Sequence, residues 1–79
     1  MPTILRVDSY RFFFFSNEGY EAAHVHVEAG EAYAKFWLSP VRLAFSTHFS
    51  VKRLTEVRKL IEENENRFLE KWNEYFSKT

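Results

Sequence analysis

The chain has 79 residues, 46% of them hydrophobic, with nine Phe, four Tyr and two Trp, no Cys, and 11 acidic residues against 11 basic ones. This length is one domain, and so much aromatic surface beside only two Gly and two Pro excludes disordered, collagen-like and low-complexity classes. Without cysteine there is no disulfide and no thiolate metal site, so a core this small has a thin stability margin and self-association or a partner is expected.

The opening residues MPTILRVDSYR carry Arg6 and Asp8 and no apolar stretch of signal-peptide length. The longest purely apolar run, Phe12 to Phe15, falls far short of the roughly 20 residues a membrane-spanning helix needs. A soluble, cytoplasmic, bacterial protein with no membrane partner is expected, and the absent cysteine agrees with a reducing compartment.

The first half reads as strands. Ile4 to Val7, Tyr10 to Phe15, His24 to Glu28 and Ala32 to Leu38 are β-branched or aromatic runs. They are separated by Asp8-Ser9, by Ser16 to Gly19 and by Ala29-Gly30-Glu31, lengths that fit antiparallel neighbours. Glycine suits the second and third of these turns because it adopts positive φ without strain. A fifth strand, Val41 to Phe45, follows Pro40, which favours an edge or a strand start.

The second half changes period. From Ser50 the apolar positions Val51, Leu54, Val57, Leu60, Ile61, Phe68, Leu69, Trp72, Tyr75 and Phe76 fall within about a half-circle at 100° per residue. Ser50 is placed to cap this helix, and Arg58/Glu62, Lys59/Glu63 and Glu63/Arg67 are opposite charges four residues apart. Asn64 and Glu65 interrupt the stripe. A straight helix from Val51 to Phe76 would run ~39 Å, so it either bends near Asn64 or overhangs the sheet. The expected fold is α+β: a single domain over 1–79, with an antiparallel meander of four or five short strands over 1–46. One long C-terminal helix over 50–77, with a bend near 64–66, packs on one sheet face.

Strand two is apolar on both sides. Alternation sends Tyr10, Phe12 and Phe14 one way and Arg11, Phe13 and Phe15 the other, and one helix covers only one of these faces. A loop, the segment after Pro40 or another chain must cover the second. If it is another chain, Phe13, Phe15 and Trp37 are the candidate interface residues.

Strand three carries His24, His26 and Glu28 at two-residue spacing, all on one face. Such a set suits general acid–base catalysis by the two histidines, which titrate near neutrality. With Glu28 it also has the composition of a two-histidine, one-carboxylate metal set, although no metal or other cofactor is expected. A solvent-facing or hydrogen-bonded histidine pair on a polar strand face is the plainer reading.

Zero net charge conceals a segregation. Residues 12–34 hold four glutamates and no Lys or Arg, whereas residues 35–59 hold six cations against Glu56 alone. Lys52 and Arg53 sit in the first helical turn, where a cation is disfavoured by roughly 0.3–1 kcal/mol. Together with Lys35 and Arg42 they are candidate contacts to an anion or to nucleic acid such as RNA. No glycine-rich phosphate loop, nucleophile elbow or catalytic triad pattern is present in the sequence.

MPTILR at the start, YRFFFFSNEG, EAAHVHV from Glu21 to Val27, AYAKFWLSPV and the closing FLEKWNEYF together resemble the small bacterial proteins grouped as domain of unknown function DUF4160. Members typically show Pro-Pro-His-Ile-His-Val where this chain has Ala22-Ala23-His24-Val25-His26-Val27; the histidines match and the prolines do not. Such proteins are often encoded beside a second small protein in an arrangement that looks like a toxin–antitoxin pair. The resemblance implies a partner-bound small protein, with a cognate small protein encoded nearby as the expected partner and a homo-oligomer or RNA as further partners. Two other functions stay open beside it. One is a small ribonuclease or phosphodiesterase-like toxin using His24 and His26, and the other is a non-catalytic nucleic-acid-binding regulator.

Overall fold

The computed structural model describes residues 3–15 and 19–76. The β-branched and aromatic runs form five strands, β1 (Thr3–Val7), β2 (Tyr10–Phe13), β3 (His24–Ala29), β4 (Ala32–Leu38) and β5 (Val41–Thr47). They lie side by side in chain order with every neighbouring pair antiparallel. Three of the four connections dictate this, because a two-residue loop joins only antiparallel neighbours, and the longer β2–β3 connection also returns the chain antiparallel. Val7 faces Tyr10 across Asp8-Ser9, Ala29 faces Ala32 across Gly30-Glu31, and Leu38 faces Val41 across Ser39-Pro40. Gly30 has φ +60°, the left-handed conformation that suits glycine, and Asp8 takes φ 53° in the first turn, a region Asp enters more readily than most residues.

Strand limits differ from expectation by one residue at the start of β1, at Thr3, and at the end of β3, at Ala29, and by two residues at the ends of β2 and β5. The β2 ladder ends at Phe13, so Phe14 and Phe15 lie beyond it, and β5 extends to Thr47. A register shift near Ala44 sets Lys35 opposite Phe45 but Phe36 opposite Leu43. β5 is an edge strand, and Pro40 precedes it in the turn, where its missing N–H removes no ladder bond.

The single long helix is instead two helices, α1 (Val51–Glu63) and α2 (Glu65–Phe76). Ser50 caps α1, its Oγ accepting the Arg53 N–H at 3.2 Å. The break falls on Asn64. Its Nδ2 donates to the Leu60 carbonyl at 2.8 Å, its backbone N–H reaches the Leu60 and Ile61 carbonyls, and its own carbonyl accepts the Phe68 N–H at 2.9 Å. One polar residue thus closes the first helix and opens the second, satisfying backbone groups that a helix end leaves unpaired.

The apolar stripe keeps its phase across the break: Val57 and Ile61 on α1 and Phe68 and Trp72 on α2 are all buried. They pack on the face of the sheet that carries Tyr10, Phe12 and Phe14. The Phe12 and Phe68 rings lie 5.4 Å apart, Phe14 meets Trp72 edge-on at 5.2 Å, and the Tyr10 hydroxyl donates to Glu56 at 2.9 Å. Val25, Val27, Ala29, Ala34, Phe36, Leu38 and Val41 complete this core. Each fully buried Phe, Val or Leu contributes roughly 1.5–3 kcal/mol relative to exposure. Among the described residues no helix is long and apolar enough to cross a membrane.

Candidate functional site

Alternation along β3 sends His24, His26 and Glu28 to the second face of the sheet, and the register decides their surroundings. Phe13 and Lys35 lie opposite His26, Trp37 lies opposite His24, and Arg11 and Tyr33 lie opposite Glu28. Phe13 stacks on His26 at 5.4 Å and Tyr33 at 5.8 Å, while Phe15 meets it edge-on at 4.4 Å. The result is a histidine only 1% exposed on the face away from the helices. Its Nδ1 shares a hydrogen bond of 2.6 Å with the Tyr33 hydroxyl.

His24 is fully buried at the end of the sheet and touches both sides of it. Its ring lies 4.9 Å from Trp72 of α2, 5.1 Å from His26 and 5.5 Å from Trp37. Its Nδ1 is 2.8 Å from the Ala22 carbonyl, and a carbonyl only accepts, so this nitrogen carries the proton. Glu21 Oε1 lies 3.9 Å from the same nitrogen, but the carboxylate is engaged by Lys35 Nζ at 2.9 Å. The hydrogen bond from Lys35 holds Glu21 below the ordinary carboxylate value, opposed by desolvation and aided by the charges of Lys35 and His24.

These contacts define what the pair can do chemically. An acid or base must come within about 2.6–3.2 Å of the proton it moves, directly or through one water. Phe13, Phe15, Trp37 and Trp72 stand around the two imidazoles. Glu28 is tied to Arg11, whose guanidinium lies 2.7 Å from its carboxylate. Among the described residues no three of His, Cys, Asp and Glu gather to hold a metal ion.

The four candidate anion contacts fall into two places. Lys35 and Arg42 belong to the second face, in ladder positions opposite Phe45 and Trp37. Lys52 and Arg53 lie in the first turn of α1. Arg53 is committed within the chain: it donates to the Tyr10 hydroxyl at 3.3 Å and to Ser9 Oγ at 3.2 Å, with its guanidinium over the rings of Tyr10 and Phe49. A cation placed against the helix-end preference therefore has a partner set inside this molecule.

Of the candidate interface residues, Phe13 is 2% exposed, covered by its neighbours on the second face, while Phe15 and Trp37 are half-buried. Lys35 Nζ sits 4.6 Å above the Trp37 ring. The large apolar side chains left open are elsewhere: Phe45 at 54%, Leu43 at 42% and Val51 at 81%, with Tyr20 in the segment before β3.

Tyr33, Glu21, Arg11 and Phe45 join the site without having been singled out in the sequence. A signal for Tyr33 was present. Reading Gly30-Glu31 as a two-residue hairpin loop fixes Glu28 opposite Tyr33, His26 opposite Lys35 and His24 opposite Trp37.

The family model described as domain of unknown function DUF4160 matches residues 9–73. No curated protein and no solved structure matches the chain significantly.

Proposed function

The chain belongs to the DUF4160 family, and from that premise and its open surface we propose that it is a protein-interaction module of toxin–antitoxin type, binding a cognate small protein in the cytoplasm. The observation that carries this reading is the apolar margin along β5. Leu43 and Phe45 on this edge strand and Val51 of α1 beside Leu43 are exposed, in a molecule whose other aromatics, Tyr20 apart, are largely packed away. The register shift near Ala44 leaves Leu43 opposite Phe36 on the helix side and Phe45 opposite Lys35 on the second face, so exposed apolar side chains flank the unpaired strand on both sides and suit another chain. The register shift near Ala44 and the presence of Arg42 discourage indiscriminate strand addition, which favours a specific side-chain contact.

The catalytic alternative has less support, because His24 and His26 are enclosed by aromatic rings. The nucleic-acid alternative has less support because Lys35 and Arg53 are occupied by Glu21, Ser9 and Tyr10. Co-expression with the small protein encoded beside this one tests the proposal. Co-purification of a stoichiometric complex is expected, and a stable, inert monomer that never co-purifies overturns it.

A further inference from the structure

On the second face, between the segment leading into β3 and the β4–β5 turn, lies a cleft of about 230 Å³ lined by Ala22, Ala23, Trp37, Ser39, Pro40 and Arg42. Resting on the interaction reading above, we propose that this cleft docks an acidic peptide segment of the protein partner, taking one apolar side chain between Trp37 and Pro40 and the adjacent carboxylate on Arg42.

Size comes first. Sites for whole cofactors and drug-sized ligands run to roughly 300–1,000 Å³, so this cleft suits a single anchoring side chain. Its walls are already fixed. The Leu38 N–H donates to the Ala23 carbonyl at 3.1 Å and His24 Nδ1–H donates to the Ala22 carbonyl at 2.8 Å, which pins the Ala22-Ala23 wall to β4 and to the histidine. Trp37 is held by Lys35 above its ring and by the edge of His24 at 5.5 Å. A pre-formed pocket binds without the ordering entropy that a mobile one incurs, and a buried anchor in such a pocket is where binding energy concentrates.

Charge selects the occupant. Arg42 stands directly opposite Trp37 in the ladder. Arg11 is paired with Glu28, Lys35 with Glu21 and Arg58 with Glu62, whereas among the described residues Arg42 forms no ion pair and no side-chain hydrogen bond. It is a guanidinium fork presented beside an apolar slot, matched by an Asp or Glu next to an apolar residue. RNA fits less well. A nucleic-acid groove needs several unpaired cations, and Arg42 is the one cation among the described residues lining this cleft.

The test follows the indole N–H signals of ¹⁵N-labelled full-length protein during titration with the peptide acetyl-Asp-Glu-Leu-Asp-Glu-amide. The Trp37 signal is expected to shift and saturate while that of buried Trp72 stays in place. The same peptide with Lys in place of the acidic residues should leave both signals unmoved. Arg42→Glu and Arg42→Gln, changes at an exposed position that keep the fold, should weaken the response at least tenfold. An unmoved Trp37, an equal response to the basic peptide, unchanged binding in both Arg42 variants, or a response to tetrauridylate instead of the acidic peptide each overturns the site. A neighbouring gene product that co-purifies equally with wild type and Arg42→Glu leaves the interaction reading intact and overturns this cleft. Failure of co-purification with wild type overturns the interaction reading itself.

Discussion

His26 Nδ1 and the Tyr33 hydroxyl are 2.6 Å apart on adjacent strands, and the phenol ring lies nearly parallel to the imidazole, at an interplanar angle of 21°. This contact gives a polar partner to a histidine that sits almost fully buried on the sheet face that neither helix covers, with the rings of Phe13 and Phe15 packed against it.

Tyr33→Phe removes the hydroxyl and keeps the ring. Loss of a hydrogen-bond partner to a buried group costs about 1–3 kcal/mol, so the urea midpoint should fall accordingly with an unchanged slope. An unaltered midpoint would show that the bond contributes nothing to stability.

Glu21 supplies a pH dependence whose sign follows from its lowered pKa. The unfolded carboxylate, with its ordinary value of 4.5, takes up a proton before the folded one does. The stabilisation from the Lys35 pair is therefore complete above that value and is lost as pH falls through the lower folded value. Denaturation of wild type and Glu21→Gln should differ at pH 7, and the difference should shrink in acid and in high salt. A gap that widens in acid contradicts this assignment.

Gly19→Ala probes close packing at the C-terminal end of α2. A Cβ on Gly19 would lie 2.6 Å from Phe76 Cδ1, and the Phe76 ring is itself hemmed in by Phe14, Trp72 and Tyr75. Overpacking of this kind costs about 1–3 kcal/mol. Thermal denaturation should show the loss in Gly19→Ala, and pairing it with Phe76→Leu should restore part of it. Equal losses with and without Phe76→Leu would place the cause elsewhere.

Phe68→Ala tests whether α2 is a full partner in the core. Phe68 is fully buried against Phe12, and truncating such a side chain costs about 3–5 kcal/mol. That is a large part of the stability of a domain this small, so substantial unfolding at room temperature is expected by circular dichroism. A variant as stable as wild type contradicts the packing described here.

What the sequence made legible was local. Alternation in Tyr10 to Phe15 assigned the two sheet faces correctly, and Ser50 and the apolar stripe located the helical half. The stripe predicts a bend near Asn64 but not a helix end, because the outcome depends on whether Nδ2 reaches the Leu60 carbonyl, which periodicity does not encode. The surroundings of the histidines are hidden for a similar reason: which residues lie opposite a strand depends on register, and composition alone places Ala29 in the turn with Gly30 and Glu31, whereas Ala29 pairs with Ala32. Burial of Phe13 was equally out of reach. It results from side chains of three strands and the segment after β2 closing over a face that alternation alone would leave open.

The central claim, that the exposed margin at β5 and not the histidine pair is the working surface, is tested most directly by a binding isotherm. The cognate small protein proposed as partner would be titrated with wild type, Phe45→Asp and His26→Asn variants whose folding has been checked. Saturable binding by wild type, at least tenfold weaker in Phe45→Asp and retained in folded His26→Asn, is the predicted result. Absence of binding by wild type, or equal affinity in wild type and Phe45→Asp, would contradict it.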